Sequence, residues 1–190
     1  MKNILDIQER SAFRTWLNDH PEERECWVNV IRGRPQDDGR FYYLDAVEEA
    51  LCFGWIDSVY KEMDGLLYQK FTPRKKKSSW TELNKERVRR LERLGLMTPA
   101  GRRVLPAMGP RSFHLDPQIE ARLKQARVYR KYRQFPILYQ RVRGWNLAYY
   151  RRTDPELYET AINRLIKETC KGRMYGEWND YGRLLEVIEE

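Results

Sequence analysis

The residues best suited to chemistry in this 190-residue chain fall in one run, "EEALCFGWIDSVYKEMDGLLYQKFTPRKKKSSW", Glu48 to Trp80. It holds Asp57 and, further on, the cations Arg74, Lys75, Lys76 and Lys77. A carboxylate held beside cations can orient a ligand or accept a proton. Arg74 leads toward Ser78 and Ser79 at an expected helix start, where free backbone N–H groups and the helix dipole favour phosphate, sulfate or carboxylate. The planar fork of Arg74 suits two oxygens at once. Gln69, Thr72 and Asn84 are candidate neutral contacts, and Trp55 is a candidate stacking surface. Each has a plainer reading: Asp57 paired with Lys70 or Arg74, the basic run solvated, Ser79 capping a helix, Trp55 anchoring a core.

These residues need a sheet end and a helix start to position them. A first helix is expected over Ile7 to Leu17, and a strand over "CWVNVIR", Cys26 to Arg32. Asp45 and Glu48 have capping-box spacing before the apolar residues Ala46, Val47, Ala50, Leu51 and Phe53, and Gly54 stands where a left-handed stop belongs. Asp64-Gly65 between strand-like runs signals a hairpin. A two-residue loop there sets Asp57 opposite Thr72, Val59 opposite Lys70 and Tyr60 opposite Gln69. Alternation then puts Trp55, Asp57 and Val59 on one face, and Ile56, Tyr60, Gln69 and Phe71 on the other. Pro73 ends the second strand. Ser79 and Glu82 read as a capping box for a helix that Gly95 terminates, and Thr98-Pro99 starts another. From Gln118 the chain reads helical, with Asp154-Pro155 as a start and Gly172 as a stop. The expected fold is α+β: a small antiparallel sheet flanked by helices over 1–109, then an all-helical C-terminal lobe over 110–190.

The 36 Lys and Arg against 28 Asp and Glu leave a net charge of +8, which favours anionic partners. The arginine stretches at 87–90, 130–133, 141–143 and 151–152 alternate with tyrosines, so a nucleic-acid-binding role is one alternative, and solvated helix faces are the other. Cys26, Cys52 and Cys170 lack C-x-x-C spacing, so neither a disulfide framework nor a zinc site is expected. His20 and His114 stand in turns without a nucleophile beside them. With no phosphate loop and no H-E-x-x-H, no cofactor is expected. No apolar run approaches the ~18 residues of a membrane span, and the N-terminus lacks a signal-like core, so no membrane insertion and a cytoplasmic location are expected.

With "ALCFGWID", "FTPRKKKSSW" and "MYGEWNDYGRLL" in view, supported by "AFRTWL", "CWVNVIRG" and "FPILYQRVR", the chain resembles the YdeI/OmpD-associated, or bacteriocin-protection, family. The resemblance implies an α+β domain with a helical C-terminal portion, no established enzymatic activity, and a role in stress or bacteriocin resistance. Some relatives carry the label thymidylate synthase, which needs a nucleophilic cysteine, whereas Cys52 falls on the apolar face of a helix pattern. The expected function is a binding protein with an anion-accepting cleft formed by Trp55, Asp57, Gln69, Thr72, Arg74, Ser78, Ser79 and Asn84, and the expected partner is an anionic small molecule. A small-molecule enzyme using Asp57 with Arg74 or Tyr60 is the alternative. On the leading reading, Arg74→Ala weakens ligand binding and leaves the empty fold nearly as stable.

Overall fold

The computed structural model describes residues 3–76 and 78–185, so Lys77 of the basic run lies outside the described residues. The fold is α+β with a helical C-terminal region. Two compact units emerge: one takes the described residues up to Ser79 together with Arg87–Pro106, the other takes Trp80–Glu86 and the described residues from Ala107. The described chain crosses after Ser79, returns after Glu86 and crosses again after Pro106, whereas one boundary at Gly109-Pro110 was expected.

The first unit is a four-stranded sheet, β1 (Ile4–Leu5), β2 (Cys26–Asn29), β3 (Trp55–Met63) and β4 (Leu66–Pro73), in the order β1-β2-β4-β3. The sheet is mixed, not purely antiparallel, because β1 runs parallel to β2 with Ile4 opposite Trp27. Two residues are too few for an alternation to show in sequence. The helices α1 (Arg10–Asp19) and α2 (Tyr43–Cys52) supply the apolar cover. Phe13 and Leu17, one turn apart on α1, are buried, and the Phe13 ring stands 5.4 Å from Phe71 of β4 and 5.6 Å from Phe41. Ala46, Val47, Ala50 and Leu51 of α2 fill the same core. Burying such side chains stabilises by about 1.5–3 kcal/mol each for the larger ones.

Helix α2 starts two residues before the expected cap. Tyr42 holds the N-cap position without a side-chain capping bond, and Asp45 faces Arg10 instead, at 3.2 Å. The helix ends as expected: Gly54 has φ +76°, and its N–H donates to Leu51 O at 3.2 Å. The Cys52 carbonyl at that end, without a partner inside the helix, receives the Thr98 N–H at 3.1 Å and the Thr98 hydroxyl at 2.6 Å. A Cβ on Gly101 would come within 2.2 Å of the same oxygen, so the short helix α4 (Pro99–Arg102) approaches through a position only glycine fills.

Asp64 and Gly65 turn the hairpin with φ +51° and +74°, the conformation Asp-Gly favours. Tyr60 lies opposite Gln69, as the loop length requires. A bulge then shifts the register, and Asp57 faces Phe71 where Thr72 was expected, while Ile56 faces Thr72. Ser58 and Val59 together span the stretch that Lys70 faces alone. The extra residue returns Asp57 to the face that carries Tyr60, Gln69 and Phe71, against the expected alternation.

Helix α3 (Glu82–Arg93) begins at a Thr81 cap, not at Ser79: Thr81 Oγ1 accepts the Asn84 N–H at 3.0 Å. Ser79 is exposed and its carbonyl is engaged elsewhere, as shown below. Gly95 closes the helix with φ +67°.

The second unit packs α5 (Pro117–Gln125), α6 (Tyr129–Tyr132), α7 (Ile137–Thr153) and α8 (Pro155–Cys170) around Ile119, Leu123, Tyr132, Tyr139, Ile162 and Leu165. Asp116 and Asp154 cap α5 and α8, accepting N–H bonds from Gln118 at 2.9 Å and Leu157 at 3.0 Å, each followed by Pro at the first helical position. Gly172 ends α8 with φ +70°. The following tail folds back so that Trp178 meets the Tyr139 ring edge-on at 5.5 Å. Among the described residues no helix is long and apolar enough to cross a membrane.

Candidate functional site

The bulge in β3 and the first residue of α2 create one polar cluster on the sheet face of the first unit. Tyr43 donates its hydroxyl hydrogen to Asp57 Oδ2 at 2.6 Å. Burial, then the Asp57 charge, push the Tyr43 phenol above its ordinary value, so the proton stays on the phenol oxygen. Asp57 is therefore held by Tyr43; Lys70, one of its two expected partners, pairs with Glu25 at 2.5 Å.

Arg32, just beyond β2, lies over the same tyrosine. Its guanidinium carbon is 3.8 Å from the Tyr43 ring centroid and 5.4 Å from that of Tyr60, and Nη2 donates to Gln69 Oε1 at 2.5 Å. Gln69 is 1% exposed and fully committed: its Nε2 donates to Val59 O at 3.0 Å and Lys70 O at 3.2 Å, bracing the bulge. Stacking plus one hydrogen bond fixes an exposed guanidinium that still has N–H donors to give. Among the described residues no carboxylate forms an ion pair with Arg32.

Arg74 behaves differently from the expectation. It is 5% exposed, and Nη1 donates to Ser79 O at 2.9 Å and Ser78 Oγ at 3.3 Å. Its backbone N–H donates to Gly54 O at 2.8 Å. Arg74 thus holds its own loop closed over the helix stop, with Ser78 and Ser79 as the groups held. Burial lowers its guanidinium to about 10, against the opposing pull of the Asp57 charge.

The sheet face thus brings together Asp57 and Gln69 of the expected set, with Arg74 close enough to sense Asp57. Trp55 is 4% exposed and meets Trp16 edge-on at 5.9 Å, as a core anchor beside a 340 Å³ hollow near Leu17 and Pro99. Thr72 faces Ile56, out of phase with Asp57. Asn84 belongs to the second unit. Sequence reasoning missed Arg32 and Tyr43, whose partners are distant in the chain.

A second cluster lies between α1, α2 and the C-terminal part of α3. Asp45, Glu48 and Glu49 form one stripe of α2, at i, i+3 and i+4, and all three are buried. Arg10 reaches Glu49 at 2.6 Å, Glu48 at 2.9 Å and Asp45 at 3.2 Å; Arg14 reaches Glu49 at 2.7 Å and Arg90 reaches Glu48 at 3.2 Å. These interlocked pairs mark a structural clamp beside a 620 Å³ surface hollow. Its signal was present in sequence as complementary i, i+4 stripes on adjacent helices.

Cys52 is fully buried, and desolvation pushes its thiol up to about 12, as it does Cys26. Neither supplies a thiolate nucleophile at neutral pH. Several arginines of the tyrosine-interleaved stretches are engaged within the second unit: Arg141 with Glu86 at 3.7 Å and Arg151 with Asp116 at 2.6 Å.

Residues 5–104 match a family described as a domain of unknown function (DUF8412). No curated protein and no solved structure matches the chain.

Proposed function

We propose that this chain, which belongs to the DUF8412 family of domains of unknown function, is a binding protein that holds a small anionic ligand at Arg32 on the sheet face of its first unit. One observation carries the reading: the Arg32 guanidinium is fixed in advance by Tyr43 at 3.8 Å and Gln69 at 2.5 Å, with donors left for an oxyanion. Fixing the side chain beforehand removes much of the entropy cost that an exposed arginine meets on binding. Asp57 adds an acceptor oriented by Tyr43. A cytoplasmic location and the stress- or bacteriocin-resistance role implied by the YdeI/OmpD-associated resemblance belong to the same proposal, supported by likeness of sequence around Gly54 and Arg74. The enzyme alternative has less support, since Arg74 turns its Nη1 into its own loop.

The test is calorimetric titration of inorganic phosphate and short dicarboxylates into the wild type and Arg32→Gln at two salt concentrations. Loss of about 1.5–3 kcal/mol of binding free energy in the variant supports the reading. Equal affinities, or no saturable binding by either protein, refute it.

A further inference from the structure

A second arrangement of arginines, in the other unit, has no counterpart in the sheet-face site. Helices α7 and α8 leave a 220 Å³ hollow between them, with Leu147, Leu157 and Ala161 as apolar lining and Asn146, Tyr150 and Thr160 as polar groups. Tyr175 from the tail closes one side. Arg143 and Arg164, which also line the hollow, both lie over the Tyr175 ring, their guanidinium carbons 4.8 Å and 4.4 Å from its centroid.

Both arginines are charged groups without a carboxylate ion pair among the described residues, whereas Arg122, Arg141, Arg151 and Arg173 of the same unit each have one. Arg143 is also fixed. Its Nη2 donates to Glu177 O at 3.0 Å, and the backbone at Gly176, with φ +69°, runs so close that a Cβ there would stand 2.6 Å from Nη2. Both guanidiniums line one hollow, and the Tyr175 ring they lie over offsets part of their repulsion. An anion in that hollow offsets the rest.

We propose that this hollow is a binding site for a small anion carried on a planar ring, an aryl phosphate or aryl carboxylate. Arg143 and Arg164 hold the charged group, and Leu147, Leu157 and Ala161 take the ring. The hollow is smaller than the roughly 300–1,000 Å³ of drug-sized sites, which limits the occupant to about one ring and its substituent. Asn146 and Thr160 supply neutral hydrogen bonds that select for a polar substituent on that ring.

The experiment titrates phenyl phosphate, benzoate and inorganic phosphate into the wild-type chain, into Arg32→Gln, which lacks the sheet-face site, and into Arg32→Gln/Arg164→Gln. Arg164 is exposed, so its replacement leaves the fold intact. Phenyl phosphate binds Arg32→Gln about tenfold or more tightly than inorganic phosphate, and adding Arg164→Gln weakens it about tenfold or more, the loss of one charge-assisted contact. Phenyl phosphate binding that persists in Arg32→Gln, where the sheet-face site is removed, separates this site from the one on the sheet. The ratio of phenyl phosphate to benzoate affinity identifies the preferred charged group. Equal affinity of Arg32→Gln for phenyl and inorganic phosphate, or equal phenyl phosphate affinity in Arg32→Gln and Arg32→Gln/Arg164→Gln, overturns the proposal.

Discussion

Tyr43 opens α2 and Asp57 lies in β3, yet the phenol hydroxyl meets the carboxylate at 2.6 Å. The bulge makes the contact: without its extra residue Asp57 would share the face of Thr72 and point away from the helix.

Tyr43→Phe removes the donor and leaves Asp57 without it, at an expected cost of about 1–2 kcal/mol in urea unfolding. The phenol also gives a pH signature. Its folded value lies above the ordinary 10.0, so its contribution is fully present below pH 10 and is lost as pH rises, because the unfolded chain releases the proton first. Tyr132 and Tyr139 are raised as well, so the measurement is a difference. Between neutral pH and pH 11 the wild type should lose more stability than Tyr43→Phe. Parallel pH profiles would show that burial and the Asp57 contact do not hold the phenol proton in solution.

The burial of Arg74 predicts the opposite of the mutational behaviour expected from sequence. A solvated arginine could be truncated with little effect on the empty fold, but this one is 5% exposed and braces Ser78 and Ser79. Arg74→Ala removes the packed stem and the brace together, an expected loss of about 2–4 kcal/mol. Arg74→Met keeps most of the stem and drops the desolvated charge, so about 1 kcal/mol or less is expected. Urea unfolding of both variants decides between these accounts: equal, small losses would restore the solvated reading of the loop.

Local signals carried far in the sequence. Gly54, Asp64-Gly65, Gly95, Asp154 and Gly172 each do what their residue type dictates, because a cap or a tight turn is settled within a few residues. The bulge at Ser58-Val59 left no such mark, since an added residue in a strand changes the register without changing the composition. The helix start moved from Ser79 to Thr81 because two hydroxyl residues compete for one cap and the Arg74 bond to Ser79 O settles the choice. Arg32 over Tyr43 was illegible for a different reason: the pair comes from a strand end and a helix start joined by a polar loop, and only the fold brings them face to face.

Glu48 tests whether the α1–α2 clamp stabilises the first unit or merely decorates it. The carboxylate is 0% exposed, with Arg10 Nη1 at 2.9 Å and Arg90 Nη1 at 3.2 Å. The Arg90 side chain is only 13% exposed and Arg10 33%, so removing Glu48 strands charge where water compensates poorly. Breaking a buried pair from one side costs about 3–5 kcal/mol, and the partial exposure of Arg10 places Glu48→Ala near the lower end. Glu48→Gln keeps the volume and one acceptor oxygen and should cost less. A double-mutant cycle of Glu48→Gln with Arg90→Gln, followed by urea unfolding, should give a coupling of at least ~0.5 kcal/mol, whereas a surface pair would add within error. Strictly additive losses would mean that the two groups are held by packing and that their mutual charge contributes nothing.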